Sequence, residues 1–301
     1  MFDDAADIDL ELALLKAEPL KALQSLQSKL PQLAPQLRRQ RHLLCPLCCS
    51  GDDEVAAAAA KLLDQLAEPE ATFCGGRRTF HYRGIEVEYW ELDEDPGDLL
   101  FGYGAWPVAE SLSKLLINST LSEHDSQVVP SVHGKHVLEI GAGVALVGLT
   151  CCACGAKVRL TDGENRLVKA LEEHHGHHND LSFEVLDWNV DQGVEQFDII
   201  VASDVLLCCC GAPEALPAVL SRRLKLDGKA LLLNVLRGAR AQLIAISLLQ
   251  RHGFLVSIFA VASLDMLPLS TEQISKLPDA AHVLLVVTWA EEQMPLPAST
   301  T

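Results

Sequence analysis

Apolar positions change their period along this chain, and each change marks a predicted element. Leu10, Leu12, Leu14, Leu15, Leu20, Leu23, Leu26 and Leu30 recur near helical spacing, and Pro19, Pro31 and Pro35 cut the stretch into short helices. A second helix is predicted over Val55 to Leu66, which holds five alanines. From Thr79 the pattern turns to alternation, with Phe80 and Tyr82, then Ile85, Val87 and Tyr89, around Arg83-Gly84; this predicts a β-hairpin. Glu86 to Asp98 carries seven acids and no base, which predicts a solvated loop or a docking surface for a basic partner. Pro107 suits the first turn of a helix, whose apolar face continues through Leu112, Leu115 and Leu116.

From Val137 the chain alternates between short apolar runs and helical segments. Strands are predicted at Val137–Ile140, Lys157–Thr161, Phe183–Leu186, Phe197–Ala202, Ala230–Val235, Phe254–Val261 and His282–Trp289. Helices are predicted from Leu146, over Arg166–His175, Leu216–Leu224 and Ala241–Arg251. Such alternation gives an α/β fold with a mostly parallel sheet. Ser263 to Ala281 is polar, carries Pro268 and Pro278, and has no helix-length apolar segment. The last two of the seven strands are therefore predicted to pair antiparallel at an edge.

The stretch Val137-Leu138-Glu139-Ile140-Gly141-Ala142-Gly143-Val144-Ala145-Leu146 joins a strand to a helix through two glycines. Glycines let the backbone turn sharply and let a ligand approach, and the following helix aims free N–H groups into the turn. This is the geometry of a nucleotide-type cofactor site. Asp162 ends the next strand 21 positions after Gly141, near the offset of an acid that grips ribose hydroxyls. Both features suit NAD as well as S-adenosylmethionine. Two others favour the latter: Ala145 and Leu146 occupy the region of the third dinucleotide glycine, and Glu139 stands at the strand end. A negative charge there suits a cationic sulfonium and would repel a pyrophosphate.

Composition narrows the setting. The chain has 301 residues, 49% apolar and 5% aromatic, with a formal net charge of −17. Nonspecific nucleic-acid binding needs clustered Lys and Arg, so a basic protein partner fits better. The ten cysteines include the neighbours Cys48-Cys49, Cys151-Cys152 and Cys208-Cys209-Cys210, which predicts free thiols in a reducing, intracellular compartment. Cys45 and Cys48 have zinc-ligand spacing without a second pair nearby, and are read as part of a reduced loop. His174, His175, His177 and His178 flank Gly176 and are read as a solvated helix end. The acidic start and the lack of an 18-residue apolar run predict neither secretion nor a membrane span.

The set Gly104-Ala105-Trp106-Pro107-Val108-Ala109, Leu138-Glu139-Ile140-Gly141-Ala142-Gly143, Leu160-Thr161-Asp162, Leu186-Asp187-Trp188-Asn189 and Ala202-Ser203-Asp204-Val205, in this order and spacing, resembles the family-16 class I protein methyltransferases. That group includes non-histone protein lysine methyltransferases acting on chaperones and translation factors. The resemblance covers roughly residues 79 to 290 and implies a class I methyltransferase fold: a seven-stranded Rossmann-like sheet with an antiparallel C-terminal pair. The expected division is a helical prefix over 1–75, a methyltransferase domain with its hairpin over 76–292, and a tail over 293–301.

By the same resemblance, Gly141, Ala142 and Gly143 would pass under the methionine and ribose of S-adenosylmethionine, and Asp162 would take the ribose hydroxyls. Trp188 would lie against adenine, Ser203 would border the methionyl group, and Trp106 would close the site. Asp204 would hold and orient the amine that receives the methyl group. The implied protein is a monomer acting on a protein substrate, cytoplasmic and also nuclear. The family's motif is an acid, two residues, then Tyr or Phe; this chain reads Asp204-Val205-Leu206-Leu207. Two function classes follow: an active protein methyltransferase, on lysine or on another nucleophile, and a cofactor-binding relative that serves as an interaction protein.

Overall fold

The computed structural model describes residues 15, 17–29, 44, 47, 52–66, 75–92, 104–122, 128–207, 212–237, 239–262, 265–278 and 280–290. The readings of Leu10–Leu14, of the Cys45–Cys49 loop, of acids 93–98, of Cys208–Cys210 and of the tail lie outside these residues. The chain divides into two compact units. One holds the described residues up to Gly76 together with Leu92 and Leu207; the other holds Arg77–Glu91, Gly104–Leu206 and the described residues from Ala212 onward.

In the first unit, helix α1 (Pro19–Ser28) packs against α2 (Asp53–Leu66). Pro19 sits at the start of α1, where its missing N–H costs nothing, so it begins this helix rather than breaking one. Ala22, Leu23 and Leu26 of α1 are buried, as are Val55, Ala59 and Leu62 of α2.

The second unit opens within a hairpin of β1 (Gly75–Tyr82) and β2 (Ile85–Leu92), of which it holds Arg77–Glu91. Arg83 and Gly84 make its turn with φ of 49° and 82°. Glu86, Glu88 and Glu91 are not in a solvated loop, as their charge suggested. They lie on β2 and pair with His81, Arg77 and Arg78 of β1. The acid run was thus read without its cross-strand bases.

After α3 (Pro107–Leu121), the chain alternates through β3 (His136–Ile140), α4 (Leu146–Ala153), β4 (Lys157–Asp162), α5 (Asn165–His175), β5 (Leu181–Val185) and β6 (Phe197–Ser203). A short 3₁₀ turn, Val205–Leu207, precedes α6 (Ala212–Arg223). Then come β7 (Leu224–Val235), α7 (Arg240–Arg251), β8 (Phe254–Ala262), β9 (Asp265–Leu269), α8 (Thr271–Ile274) and β10 (His282–Trp289). The sheet runs β5-β4-β3-β6-β7-β10-β8-β9. The first five strands are parallel, and β10 lies antiparallel between β7 and β8.

The sheet therefore has eight strands, not seven. The eighth, β9, comes from the segment read as polar and strandless, and it pairs with β8 alone. Pro268 hid it from the pattern, yet proline is tolerated on an edge strand, where one side needs no ladder bond. β7 is also longer than expected: it begins at Leu224 rather than Ala230, and Leu224 pairs with Phe197 across a register irregularity.

Strand residues alternate between two cores. Val137, Leu160, Val201 and Leu231 pack on one face with α3, α4 and the hairpin. Leu138, Ile140, Ile200 and Leu232 pack on the other with α6 and α7. Both faces of the parallel strands are covered, and their carboxyl ends converge on the loops that hold the candidate residues.

Candidate functional site

The site is organised by the turn between β3 and α4. Gly141 and Gly143 adopt φ of 66° and 53°, values that glycine takes without a Cβ clash. Ala145, the N-cap of α4, is also left-handed at φ 58° and offers no side-chain cap. The missing cap is supplied from the strand below: the Glu139 carboxylate accepts a hydrogen bond from the Gly148 N–H at 2.9 Å. Burial pushes the Glu139 carboxyl up to about 8, against the downward pull of that bond.

Glu139 was expected to face a cationic ligand. It is instead 1% exposed and turned into α4. Alternation along β3 sends residue 139 to the helix-covered face, and an acid there finds free N–H groups at the helix start.

Asp162 sits at the carboxyl end of β4. Its carboxylate accepts from the Gly143 N–H at 2.9 Å and from the Glu164 N–H at 3.0 Å, which fastens the glycine turn to the next loop. Burial raises its pKa, opposed by the Glu164 and Gly143 amides. The Gly163 amide also lowers it, so three of the carboxylate's four lone-pair sites face backbone amides and one is left for an outside donor such as a hydroxyl. Trp188, half-buried after β5, packs against the α6–α7 core; Trp106, half-buried before α3, packs against the other. Ala142 is buried, and Ser203 is half-buried at the end of β6. A glycine turn, a carboxylate with a lone pair to spare and flat side chains along one sheet edge form a donor set that fits an adenosyl cofactor.

The surroundings of Asp204 were not foreseen. Asp204 is left-handed at φ 58°, a strained conformation for a residue with a Cβ. Its N–H donates to the Leu233 carbonyl, and its carboxylate accepts from the Val235 N–H at 3.1 Å. Arg237 grips both carboxylate oxygens, at 2.9 and 2.7 Å, and its guanidinium lies 5.3 Å from the centre of the Trp106 ring. Asp204 therefore does not stand as an open carboxylate, as the sequence led one to expect.

Trp106 is placed from the hairpin side as well. Glu91 accepts from the Ala105 N–H at 3.0 Å while binding Arg78 at 2.9 Å. Arg237 and Glu91 lack any sequence signal, since each acts on a partner far along the chain. Leu207 lies in the 3₁₀ turn after Asp204. Among the described residues, no group of three His, Cys, Asp or Glu side chains is placed to hold a metal.

Known proteins give the arrangement its context. A mouse protein-lysine methyltransferase, METTL21E, is 31% identical over 166 residues, covering 52% of this chain and 63% of that protein. A rat histone-arginine methyltransferase, METTL23, is 44% identical over 62 residues, covering 21% of this chain and 24% of that protein. A solved TehB-like S-adenosylmethionine-dependent methyltransferase from Corynebacterium glutamicum overlays at 20% identity and a TM-score of 0.44, covering 60% of this chain and 88% of that one. The chain spans less than two thirds of the length of the curated relatives it matches. The model of a family described as lysine methyltransferase matches residues 89–249, a span that takes in the end of the hairpin's second strand, the glycine turn, Asp162, Trp188, Asp204 and Arg237. By that match over more than half its length, the chain belongs to the lysine methyltransferase family.

Proposed function

We propose that this protein is an S-adenosylmethionine-dependent protein methyltransferase whose acceptor is a lysine side chain of a non-histone protein. The observation that carries the reading is the family match over 89–249, on residues that meet along one sheet edge. In this reading Gly141, Ala142 and Gly143 bind the methionine and ribose part, and Asp162 takes the ribose hydroxyls. Trp188 covers adenine, Ser203 borders the methionyl group, and Trp106 closes the site. Glu139 serves the turn from beneath, as the cap of α4. When bound, the cofactor supplies an electrophilic methyl group on a sulfonium, so the hard chemistry is its own.

What remains for the protein is orientation and a proton. A lysine amine near its reference pKa of about 10.4 is mostly protonated at neutral pH. Asp204, at the end of β6, accepts a hydrogen bond from the acceptor amine and orients it. Asp204→Ala should keep S-adenosylhomocysteine affinity within a few-fold and lower methyl transfer by about 10²-fold or more, the scale of lost orientation at a reacting group.

An arginine acceptor is the second reading, favoured by the similarity to the histone-arginine methyltransferase. We place the protein as a monomer in the cytoplasm and nucleus, with a basic protein substrate, a chaperone or translation factor in the lysine reading. The formal charge of −17 and the free Cys151, Cys152 and Cys154 support that setting. The test is radiolabelled methyl transfer from S-adenosylmethionine into lysate of cells lacking the protein, with the labelled residue identified. Label on lysine is expected. Label on arginine would select the second reading, and cofactor binding without transfer would leave a binding relative in place of an enzyme.

A further inference from the structure

A cationic side chain is recognised by two things together, a carboxylate and an aromatic face. Both meet at the carboxyl end of β6, in Asp204 and Trp106. Both are already engaged by a cation of the protein itself: Arg237 pairs with the two oxygens of Asp204 and lies over the Trp106 ring. The Asp204 side chain is 4% exposed and that of Arg237 26%, so the cation is the more open member of the pair. The backbone is committed to this arrangement. Asp204 accepts the left-handed conformation, and the Val235 N–H holds one of its oxygens beside Arg237. From the other side, Glu91 fixes the backbone of Ala105, next to Trp106.

The geometry points to Arg237 as a resident stand-in for the acceptor: it occupies a site for an alkylammonium or alkylguanidinium side chain, formed by Asp204 and Trp106, and the incoming side chain displaces it. This rests on the protein-methyltransferase reading above and adds to it where the cationic end docks and what must leave. Arg237 follows the end of β7 and belongs to no helix or strand, so the side chain can swing away without breaking a strand. Exchange of one cation for another leaves the charge of the site unchanged. Binding is weakened only by the fraction of molecules in which Arg237 is in place.

The experiment uses the full chain and two probes, n-butylammonium and n-propylguanidinium, titrated by calorimetry with and without saturating S-adenosylhomocysteine. Arg237→Gln and Arg237→Ala are each compared with wild type; the Gln variant keeps a donor for Asp204 if the Ala variant folds poorly. Both are expected to bind a probe at least about tenfold more tightly than wild type, the gain expected when an internal cation in place about nine-tenths of the time is removed. The gain should vanish in Arg237→Ala/Asp204→Asn. Folded single variants that bind the probes no better than wild type would overturn the stand-in and make Arg237 a fixed part of the strand ends. A gain that survives loss of the Asp204 carboxylate would overturn the proposed seat. If S-adenosylhomocysteine fails to stabilise wild type, the methyltransferase reading falls, while the probe titrations without it still decide the role of Arg237.

Discussion

Asp162 shows what one side chain can do at two levels. Its carboxylate ties the Gly143 and Glu164 amides together, and in the proposed function it also takes the ribose hydroxyls. S-adenosylhomocysteine should therefore raise the melting temperature, because a ligand of the native state stabilises it. Asp162→Ala should lose most of that shift. It should also lower stability without ligand by about 2 kcal/mol, the scale of hydrogen bonds to a charged group. Thermal melts with and without ligand check both effects, and an undiminished ligand shift in the variant would remove Asp162 from the site. Asp162 and the glycines were legible in sequence because their work is local, done within a strand end and the turn beside it. Arg237 was not, because its partner Asp204 lies 33 positions away and nothing in either neighbourhood marks the pair. Glu139 was legible as an oddity, an acid in an apolar strand, but its direction was not; only the packing of α4 shows that it faces an N–H rather than a ligand.

At the scale of elements, α4 depends on a residue outside itself. Its N-cap, Ala145, has no side chain to bond the first turn, and Glu139 does so across Gly148. The glycine is what permits this approach: a Cβ at position 148 would run into Leu160 Cδ2 and Glu139 Oε2, both packed inside the core. Gly148→Ala should gain helix propensity and still destabilise, by about 1–3 kcal/mol, since overpacking in a close-packed interior outweighs the few tenths to one that propensity returns. Urea unfolding should show a lower midpoint at an unchanged slope. A variant within about 0.5 kcal/mol of wild type would mean that α4 can shift away from β3 at little cost. Elements with one strong period, such as α3 and β10, were readable along the chain. β9 and the first half of β7 were not, because Pro268 and Asp227-Gly228 are turn residues whose strand character comes only from pairing with β8 and β6. The acid-rich β2 misled for the same reason, its charges being answered by β1.

For the molecule as a whole, two buried groups set opposing dependences of stability on pH. His175, at the end of α5, is buried and its Nε2 has no hydrogen-bond partner. Burial, and then the neighbouring His174, His178 and His177, pull it down to about 4 from 6.5. Between those values the unfolded chain binds the proton and the folded chain does not, so stability rises with pH across the window. Glu139 acts in the other sense. Burial lifts it from 4.5 to about 8, so the folded chain holds a proton that the unfolded chain has released, and stability falls as pH rises through that range. Asp162, raised by burial as well, adds to the fall from 3.8 upward. Asp191 and Asp198, held low by Arg223 and Lys225, act below 3.8 and stay out of the range. Each fully effective group contributes a slope of up to about 1.4 kcal/mol per pH unit. From about pH 5 to 6.5 the two main slopes oppose, and from 6.5 to 8 the His175 slope is spent while that of Glu139 remains. The wild-type melting temperature should thus change little over the first interval and drop over the second. Glu139→Gln keeps an oxygen for the Gly148 N–H and removes the titration. Its stability relative to wild type should grow steadily from pH 5 to 8, and its own curve should rise to about 6.5 and then level. His175→Leu should do the reverse, with the fall beginning near pH 5. Differences between variant and wild type cancel the titrating groups that do not interact with the replaced residue. A Glu139→Gln curve offset from wild type by a constant amount across pH 5.5 to 8 would show that Glu139 is already ionised in the folded protein, and that the amide at the start of α4 outweighs the burial around it.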